Sequence, residues 1–436
     1  MVEDVVVLHP NSKTISPQNN VYKVYDHSVE AQMGELLNLT KAISLNVKHS
    51  ETITLKNIVA STLFGSGVIQ RISSIINHTI ASLVVVNCNL TPIQQRNLEM
   101  AWECKVIDRT GLILEIFGAR ANTHEGRLQV ELASLSFQRS RLVRSWTHLE
   151  RQRGGAGFLG GPGERQIELD RRQIDSKIKY IKLELDRVVK TRLLHRSSRS
   201  KKPVPIVAFV GYTNAGKSTL FNRLTGANVL ADDMLFATLD PTMRKIELPS
   251  GRQIVLSDTV GFVSNLPTHL VAAFRATLEE VIEADIIVHI RDVSHLDTEL
   301  QKYDVEQVLN YLGVYDTVEN PNIIEVLNKT DKLEPQEYQR YSNNISENEV
   351  LLSAISGEGC ATFYDKIDQL LGNTETIYNF QIKLNDGAAI AWLHANGIVK
   401  EKSFNKSYCF IEALLSLKNV KRFGKKFGDL QTVTAK

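Results

Sequence analysis

Gly211, Tyr212, Thr213, Asn214, Ala215, Gly216, Lys217 and Ser218 run in the order G-x-x-x-x-G-K-S. A loop of this kind turns its backbone amides toward an anion, and a side chain at the tight glycine positions would block the approach. Lys217 is placed to neutralise the β and γ phosphates of a nucleotide, and the Ser218 hydroxyl to ligate Mg²⁺. The flanks are the ones the motif needs, an apolar strand PIVAFV before it and a helix STLFNRL after it. A glycine-rich turn carrying a solvated lysine is the plain alternative, and that context argues against it.

The base is read from Asn328, Lys329, Thr330 and Asp331, which close the strand-like run IIEVLNK. A carboxylate at Asp331 accepts from both N1-H and the 2-amino group of guanine, whereas adenine has an acceptor at N1 and no 2-amino donor. Polar groups left unpaired in such a site give discrimination on the order of 10⁴ to 10⁵. Ser353, Ala354 and Ile355 follow the next strand, where the Ala354 amide can meet guanine O6. Asp258, Thr259, Val260, Gly261 and Phe262 end the run QIVLSDT. Asp258 would hold Mg²⁺ through water, and the Gly261 amide would meet the γ-phosphate. Between the P-loop helix and that strand lie Phe236, Ala237, Thr238, Leu239 and Asp240. Thr238 is the favoured second metal ligand, present only with a γ-phosphate, and Thr242 is the alternative. Catalysis thus falls to Lys217 and Gly261, because Phe262 occupies the position where many such enzymes orient water with glutamine. Unaided turnover is expected to be slow, on the order of 10⁻⁴ to 10⁻² s⁻¹, with a partner ordering the site.

These residues need a parallel sheet to present them. Six strand-like runs alternate with helices up to about Leu371, the pattern of a doubly wound sheet. Ahead of it, strands at Val5–Leu8, Thr52–Leu55, Leu83–Val86 and Lys105–Ile107 alternate with helices at Glu30–Ile43, Val68–Ile76 and Pro92–Met100, which predicts a small parallel α/β unit. Leu128, Leu132, Leu135, Leu142, Trp146 and Leu149 then form one heptad seam, and Ile167, Ile174, Ile178, Ile181, Leu185 and Val188 a second. The run GGAGFLGGPGE separates them, so an antiparallel helical hairpin is expected, its second helix about 45 to 50 Å long. Beyond Asn373 one helical piece (Ala388–Ala395) and one strand (Tyr408–Leu414) suggest a small α+β appendage. The expected class is multidomain α/β: an N-terminal α/β domain at 1–122, a basic hairpin at 123–202, a doubly wound P-loop domain at 203–371 and a C-terminal α+β domain at 372–436.

Global charge names no partner, since 51 basic and 49 acidic side chains leave a net charge of +2. No run reaches the ~18 apolar residues of a membrane span, and the start lacks a basic-then-apolar leader. The four cysteines are scattered without metal-ligand spacing and read as reduced thiols of a cytoplasmic protein. Local charge is more telling. Arg151, Arg153, Arg165, Arg171 and Arg172 surround the glycine-rich loop, with Arg139, Arg141 and Arg144 nearby. Arginines on a loop that glycine lets enter a groove suit a structured RNA. A solvated helix face with i,i+4 ion pairs, kept open by Glu164, Glu168 and Asp170, is the alternative.

With these motifs in view, the chain resembles the HflX family of translation-factor-class GTPases. GGAGFLGGPGERQIELDRR (Gly154 to Arg172), THEGRLQVELA (Thr123 to Ala133), LVRSWTHLERQRGG (Leu142 to Gly155), FATLDPT and DTVGF carry the resemblance. It implies Mg²⁺-dependent binding of GTP and GDP, association with the large ribosomal subunit and its rRNA, splitting or rescue of stalled ribosomes in stress, and hydrolysis stimulated by the ribosome. A monomer in the cytoplasm is expected. A guanine-nucleotide switch that recruits a protein through the hairpin, with no ribosome involved, is the competing reading.

Overall fold

Strand β1 (Asp4–Ser12) carries Val5, Val6, Val7 and Leu8 in succession, all fully buried, as a strand covered on both faces requires. Its alternate side chains serve two cores. Val5 and Val7 face α1 (Val29–Ala42), while Val6 and Leu8 join the core of α2 (Ser66–Thr79) and α3 (Pro92–Trp102). With β2 (Asn46–Leu55), β3 (Leu83–Val86) and β4 (Lys105–Asp108) it makes an all-parallel sheet of order β2-β1-β3-β4. The computed structural model describes residues 3–12, 27–152, 162–199, 204–227, 235–236, 238–239, 241–264, 278–314, 322–373, 375–384, 386–405, 407–416, 420, 423–424, 426–427 and 432–433. Ala237, Asp240, Arg153 and the glycine-rich loop to Gly161 lie outside these residues, as do the side chains of Arg144, Trp146, Leu149, Arg151, Arg165 and Ile167.

Two elements here exceed the expectation. β2 begins at Asn46 rather than Thr52, because its first half is a half-exposed edge strand of polar residues that carries no apolar run. Helix α4 (Arg109–Arg120) follows β4 with no turn between them: Asp108 ends the strand and also caps the helix, accepting from Gly111 N at 2.8 Å.

The two long helices are α5 (His124–Gln152) and α6 (Pro162–Arg199). Leu128, Leu132 and Leu135 meet Ile178 and Ile181 in a shared buried seam, with Ile174 and Leu185 at its edge. At 38 residues α6 runs past both expected ends.

The third unit holds β5 (Ile206–Gly211), α7 (Lys217–Thr225), β6 (Thr242–Glu247), β7 (Gln253–Asp258), α8 (Glu279–Ile282), β8 (Ile286–Asp292), α9 (Thr298–Tyr311), β9 (Ile323–Asn328), α10 (Pro335–Asn343), β10 (Glu349–Leu351) and α11 (Cys360–Asn373). The sheet order is β10-β9-β8-β5-β7-β6, parallel except for the edge strand β6. The first and third units share a core: Leu36, Ile113 and Phe117 pack in one cluster with Tyr212, Phe236, Val260 and Phe262.

The tail is richer than one helix and one strand. β11 (Glu375–Lys383), α12 (Gly387–Asn396), β12 (Ile398–Phe404), β13 (Tyr408–Ser416) and β14 (Thr432–Val433) form an antiparallel sheet of order β12-β13-β11-β14. Lys400, Glu401 and Lys402 break the apolar pattern of β12, whereas β11 keeps a period-2 alternation at Tyr378, Phe380 and Ile382 that marks a strand.

Candidate functional site

Parallel strands deliver their carboxyl ends to one edge, and that edge collects Gly211 of β5, Asp258 of β7, Asp292 of β8 and Asn328 of β9, with Ser353 two residues past β10. Gly216 adopts φ +94°, and a Cβ there would collide with the Asn328 carboxamide, so the motif's second glycine is required twice over. Lys217 opens α7, is buried, and donates from Nζ to Gly211 O at 3.1 Å and Tyr212 O at 2.8 Å. Burial pulls its pKa down to about 8, against the favourable charge of Asp258. An ammonium held this way is ready to exchange carbonyl partners for phosphate oxygens.

On the base side Asn328 is buried and ties two loops together. Its Nδ2 donates to Ala215 O at 2.8 Å, and its Oδ1 accepts from Ala354 N at 2.9 Å. Ser353 Oγ donates to Asp331 Oδ1 at 2.6 Å, fixing the carboxylate expected to read guanine. Lys329 stands at φ +66° with its Nζ 2.7 Å from Asp292 Oδ2, and Thr330 is buried behind it. Ile355 is exposed beside these groups. Two contributors carried no sequence signal. Arg223 on α7 donates to the carbonyls of Ala354 and Ile355 and so supports the base-side loop, and Asp292 orients Lys329.

On the metal side three oxygens converge. Ser218 Oγ donates to Asp258 Oδ2 at 2.7 Å, Thr238 Oγ1 donates to the same oxygen at 2.8 Å, and the two hydroxyls lie 2.9 Å apart. Thr238 thus joins this cluster, while Thr242, the alternative, opens β6 in register with Asp258. Asp258 is fully buried, and its Oδ1 has no hydrogen-bond partner among the described residues. Burial raises its pKa, opposed by Lys217 and the two hydroxyls. A carboxylate and two hydroxyls are hard oxygen donors that fit Mg²⁺, which keeps most of its shell as water and phosphate. No group of three or more His, Cys, Asp or Glu suited to a metal occurs among the described residues, and such a site needs none. Thr259 Oγ1 donates to Phe209 O at 2.6 Å and anchors the segment that leads to Gly261.

The segments that hold Phe236 and Phe262 both lean on the first unit. Phe236, at φ +55° and 2% exposed, meets the Phe117 ring edge-on with centroids 4.6 Å apart, and Leu239 is buried in the same core. Phe262 is 1% exposed there, so its ring is a packing element. Tyr212 is the meeting point of a polar node that sequence reasoning missed. Its hydroxyl donates to Glu35 Oε1 at 2.6 Å and accepts from Ser264 N at 2.7 Å. Arg109 pairs with Glu35 at 2.8 Å and donates to Ser264 O at 3.1 Å and Ser264 Oγ at 3.0 Å. Nothing in sequence spacing links residues so far apart.

The basic hairpin is partly self-neutralised among the described residues. Arg172 pairs with Glu168 at 2.7 Å, Arg139 with Asp175 at 2.8 Å, and Arg171 reaches Asp175 at 4.0 Å. Arg141 turns inward to Asp108 at 3.1 Å and to Gln95, which makes it a brace between the helix pair and the first unit.

Family models match along most of the chain: "GTP-binding GTPase N-terminal" at residues 30–118, "GTP-binding GTPase Middle Region" at 120–199 and "50S ribosome-binding GTPase" at 206–329. The chain is 49% identical over 385 residues to the GTPase HflX of Magnetococcus marinus, covering 87% of each chain. It is 47% identical over 325 residues to the GTPase HflX of Escherichia coli, covering 74% of this chain and 75% of that one. Among solved structures, a GTP-binding protein from Sulfolobus solfataricus in complex with GDP aligns over 85% of this chain and 98% of its own, at 21% identity and a TM-score of 0.44. With a P-loop GTPase domain and relatives this similar along most of its length, the chain is a GTP hydrolase and belongs to the HflX family.

Proposed function

We propose that this GTPase works with Mg²⁺, and that its GTP form associates with the large ribosomal subunit to split or rescue stalled ribosomes under stress. The observation that carries the nucleotide half is the convergence of Ser218, Thr238 and Asp258 beside Lys217, with Asn328 tying the P-loop to the Ala354 amide. In this reading Gly211 to Ser218 wrap the phosphates, Phe236 to Asp240 and Asp258 to Gly261 respond to the γ-phosphate, and Asn328 to Asp331 with Ser353 to Ile355 hold guanine. Ser218 and Thr238 would hold the metal, with the Asp258 carboxylate beside them. When bound, Mg²⁺ would supply neutralisation of phosphate charge. Lys217 gives up its two carbonyl partners for phosphate oxygens, and the Gly261 amide fixes the γ-phosphate. Buried Phe262 offers no hydrogen bond to the attacking water, so an external partner completes the site, and the ribosome fills that role.

The ribosomal half draws on the likeness of residues 206–329 to the 50S ribosome-binding GTPases and on the hairpin, where Arg151, Arg153, Arg165, Arg171 and Arg172 are the candidate rRNA contacts. We place the functional units at 1–122, 123–202, 203–371 and 372–436, in a monomer of the cytoplasm. No helix among the described residues is long and apolar enough to cross a membrane. The ion pairs of Arg139, Arg171 and Arg172 favour a second reading, a hairpin that recruits a protein. Co-sedimentation with separated subunits distinguishes the two. Analogue-dependent pelleting with the large subunit that weakens steeply with salt supports the rRNA reading. Its absence, with GDP binding intact, moves the search to a protein partner.

A further inference from the structure

The segment after Asp258 lies folded onto the P-loop. Phe262 N donates to Gly211 O at 3.1 Å, and Phe262 O accepts from Thr213 N at 2.7 Å, a short parallel bridge between Tyr212 and Phe262. A Cβ placed on Gly261 would stand 3.0 Å from Lys217 Nζ and 2.8 Å from Thr213 Cγ2, so the Gly261 backbone rests against the phosphate-binding lysine. A γ-phosphate gripped by both the Lys217 ammonium and the Gly261 amide requires those two groups to part by about the width of a phosphate. Whatever pins Gly261 and Phe262 therefore resists GTP more than GDP.

The pin comes from the first unit. Ser264, two residues past Phe262, is 4% exposed and held on every polar atom. Its amide goes to the Tyr212 hydroxyl, its carbonyl and hydroxyl accept from Arg109, and its hydroxyl reaches Glu35 Oε2 at 3.1 Å. Burial and the adjacent Glu35 push the Tyr212 pKa well above its usual 10, so the phenol stays neutral and keeps both bonds. Glu35 and Arg109 side chains are 12% and 8% exposed, and a charge pair in such a place holds only while both partners stay.

We propose that Glu35 and Arg109 are positioning residues of the GTPase reaction. Acting through Tyr212 and Ser264, they hold the Gly261–Phe262 backbone on the P-loop, bias the resting protein toward GDP, and make opening of this latch the step that admits GTP. By linkage, GTP binding loosens the grip of the first unit to the same degree that the latch opposes GTP. The inference rests on the nucleotide site proposed above.

The test uses the full chain with Mg²⁺ and fluorescent GDP or a non-hydrolysable GTP analogue. The double variant Glu35→Met with Arg109→Met removes both charges and leaves no lone buried ion, and Glu35→Gln is a milder second variant. The latch predicts that analogue affinity rises about tenfold relative to GDP in the double variant, and rises less, in the same direction, in Glu35→Gln. A purely structural role would move both affinities together. An analogue-to-GDP ratio unchanged or lowered in variants that still bind GDP overturns the latch alone. Failure of the unmodified protein to bind either nucleotide overturns the site reading and the latch with it.

Discussion

Replacing Asn328 with alanine removes a side chain that spans the P-loop and the base-side loop. Asn328 is 1% exposed, and its carboxamide donates to Ala215 O at 2.8 Å and accepts from Ala354 N at 2.9 Å. Alanine leaves a buried carbonyl and a buried amide without partners, and each such loss costs about 1 to 3 kcal/mol. The sum, about 2 to 6 kcal/mol, falls on the two loops that the account assigns to nucleotide. Expressed wholly as affinity, it is a weakening of GDP binding from about 30-fold to about 2 × 10⁴-fold. Titration of a fluorescent GDP against Asn328→Ala, with thermal unfolding in parallel, separates binding loss from unfolding. Binding within about threefold of the parent, at an unchanged melting temperature, would refute the reasoning, because the two hydrogen bonds would then contribute nothing in either currency.

Three further outcomes follow from the geometry. Ser218→Ala removes a hydroxyl of the oxygen cluster around Asp258, so chelating Mg²⁺ should weaken GDP binding in the parent and change it little in the variant; equal chelator sensitivity would contradict the metal role. Phe117→Ala takes away a ring that is 1% exposed and meets Phe236 edge-on, and a loss of about 3 to 5 kcal/mol in denaturant unfolding is expected, with less than 1 counting against that packing. His27 bonds Asp304 at 2.9 Å and Asp297 at 3.3 Å; burial opposes its charge, but the two carboxylates outweigh it and hold its pKa above the usual 6.5. Its stabilisation is full below pH about 6.5 and is lost as pH rises through the raised value, so His27→Gln should be less stable than the parent at pH 6 and close to it at pH 9. Parallel stability curves across that range would exclude the clasp.

The strand ends and loops of the nucleotide site were readable because each motif sits at a fixed place on a parallel sheet. Gly211, Asp258 and Asn328 end parallel strands of one sheet, so local spacing and strand order together bring them to one edge. The two heptad seams gave the α5–α6 pair for a similar reason, since Leu128 and Ile178 carry their periodicity locally. What the sequence hid depends on distance or on missing punctuation. Asp108 ends a strand and caps a helix at once, leaving no turn to announce α4. β12 is hidden by its charged run Lys400 to Lys402, while β11 does carry a strand alternation at Tyr378, Phe380 and Ile382. The Glu35, Arg109, Tyr212 and Ser264 node joins residues separated by up to 229 positions, and only the packing of the first unit on the switch elements brings them together. Arginine content likewise overstated free positive charge, because Arg141 braces Asp108 and Arg172 is spent on Glu168.

The most direct test of the account is the rate of phosphate release by the purified chain with Mg²⁺, given GTP or ATP, with and without isolated large ribosomal subunits. The account predicts hydrolysis of GTP alone, slow in isolation and raised by the large subunit by orders of magnitude. Comparable hydrolysis of ATP, or fast GTP turnover that ribosomal particles leave unchanged, would contradict it.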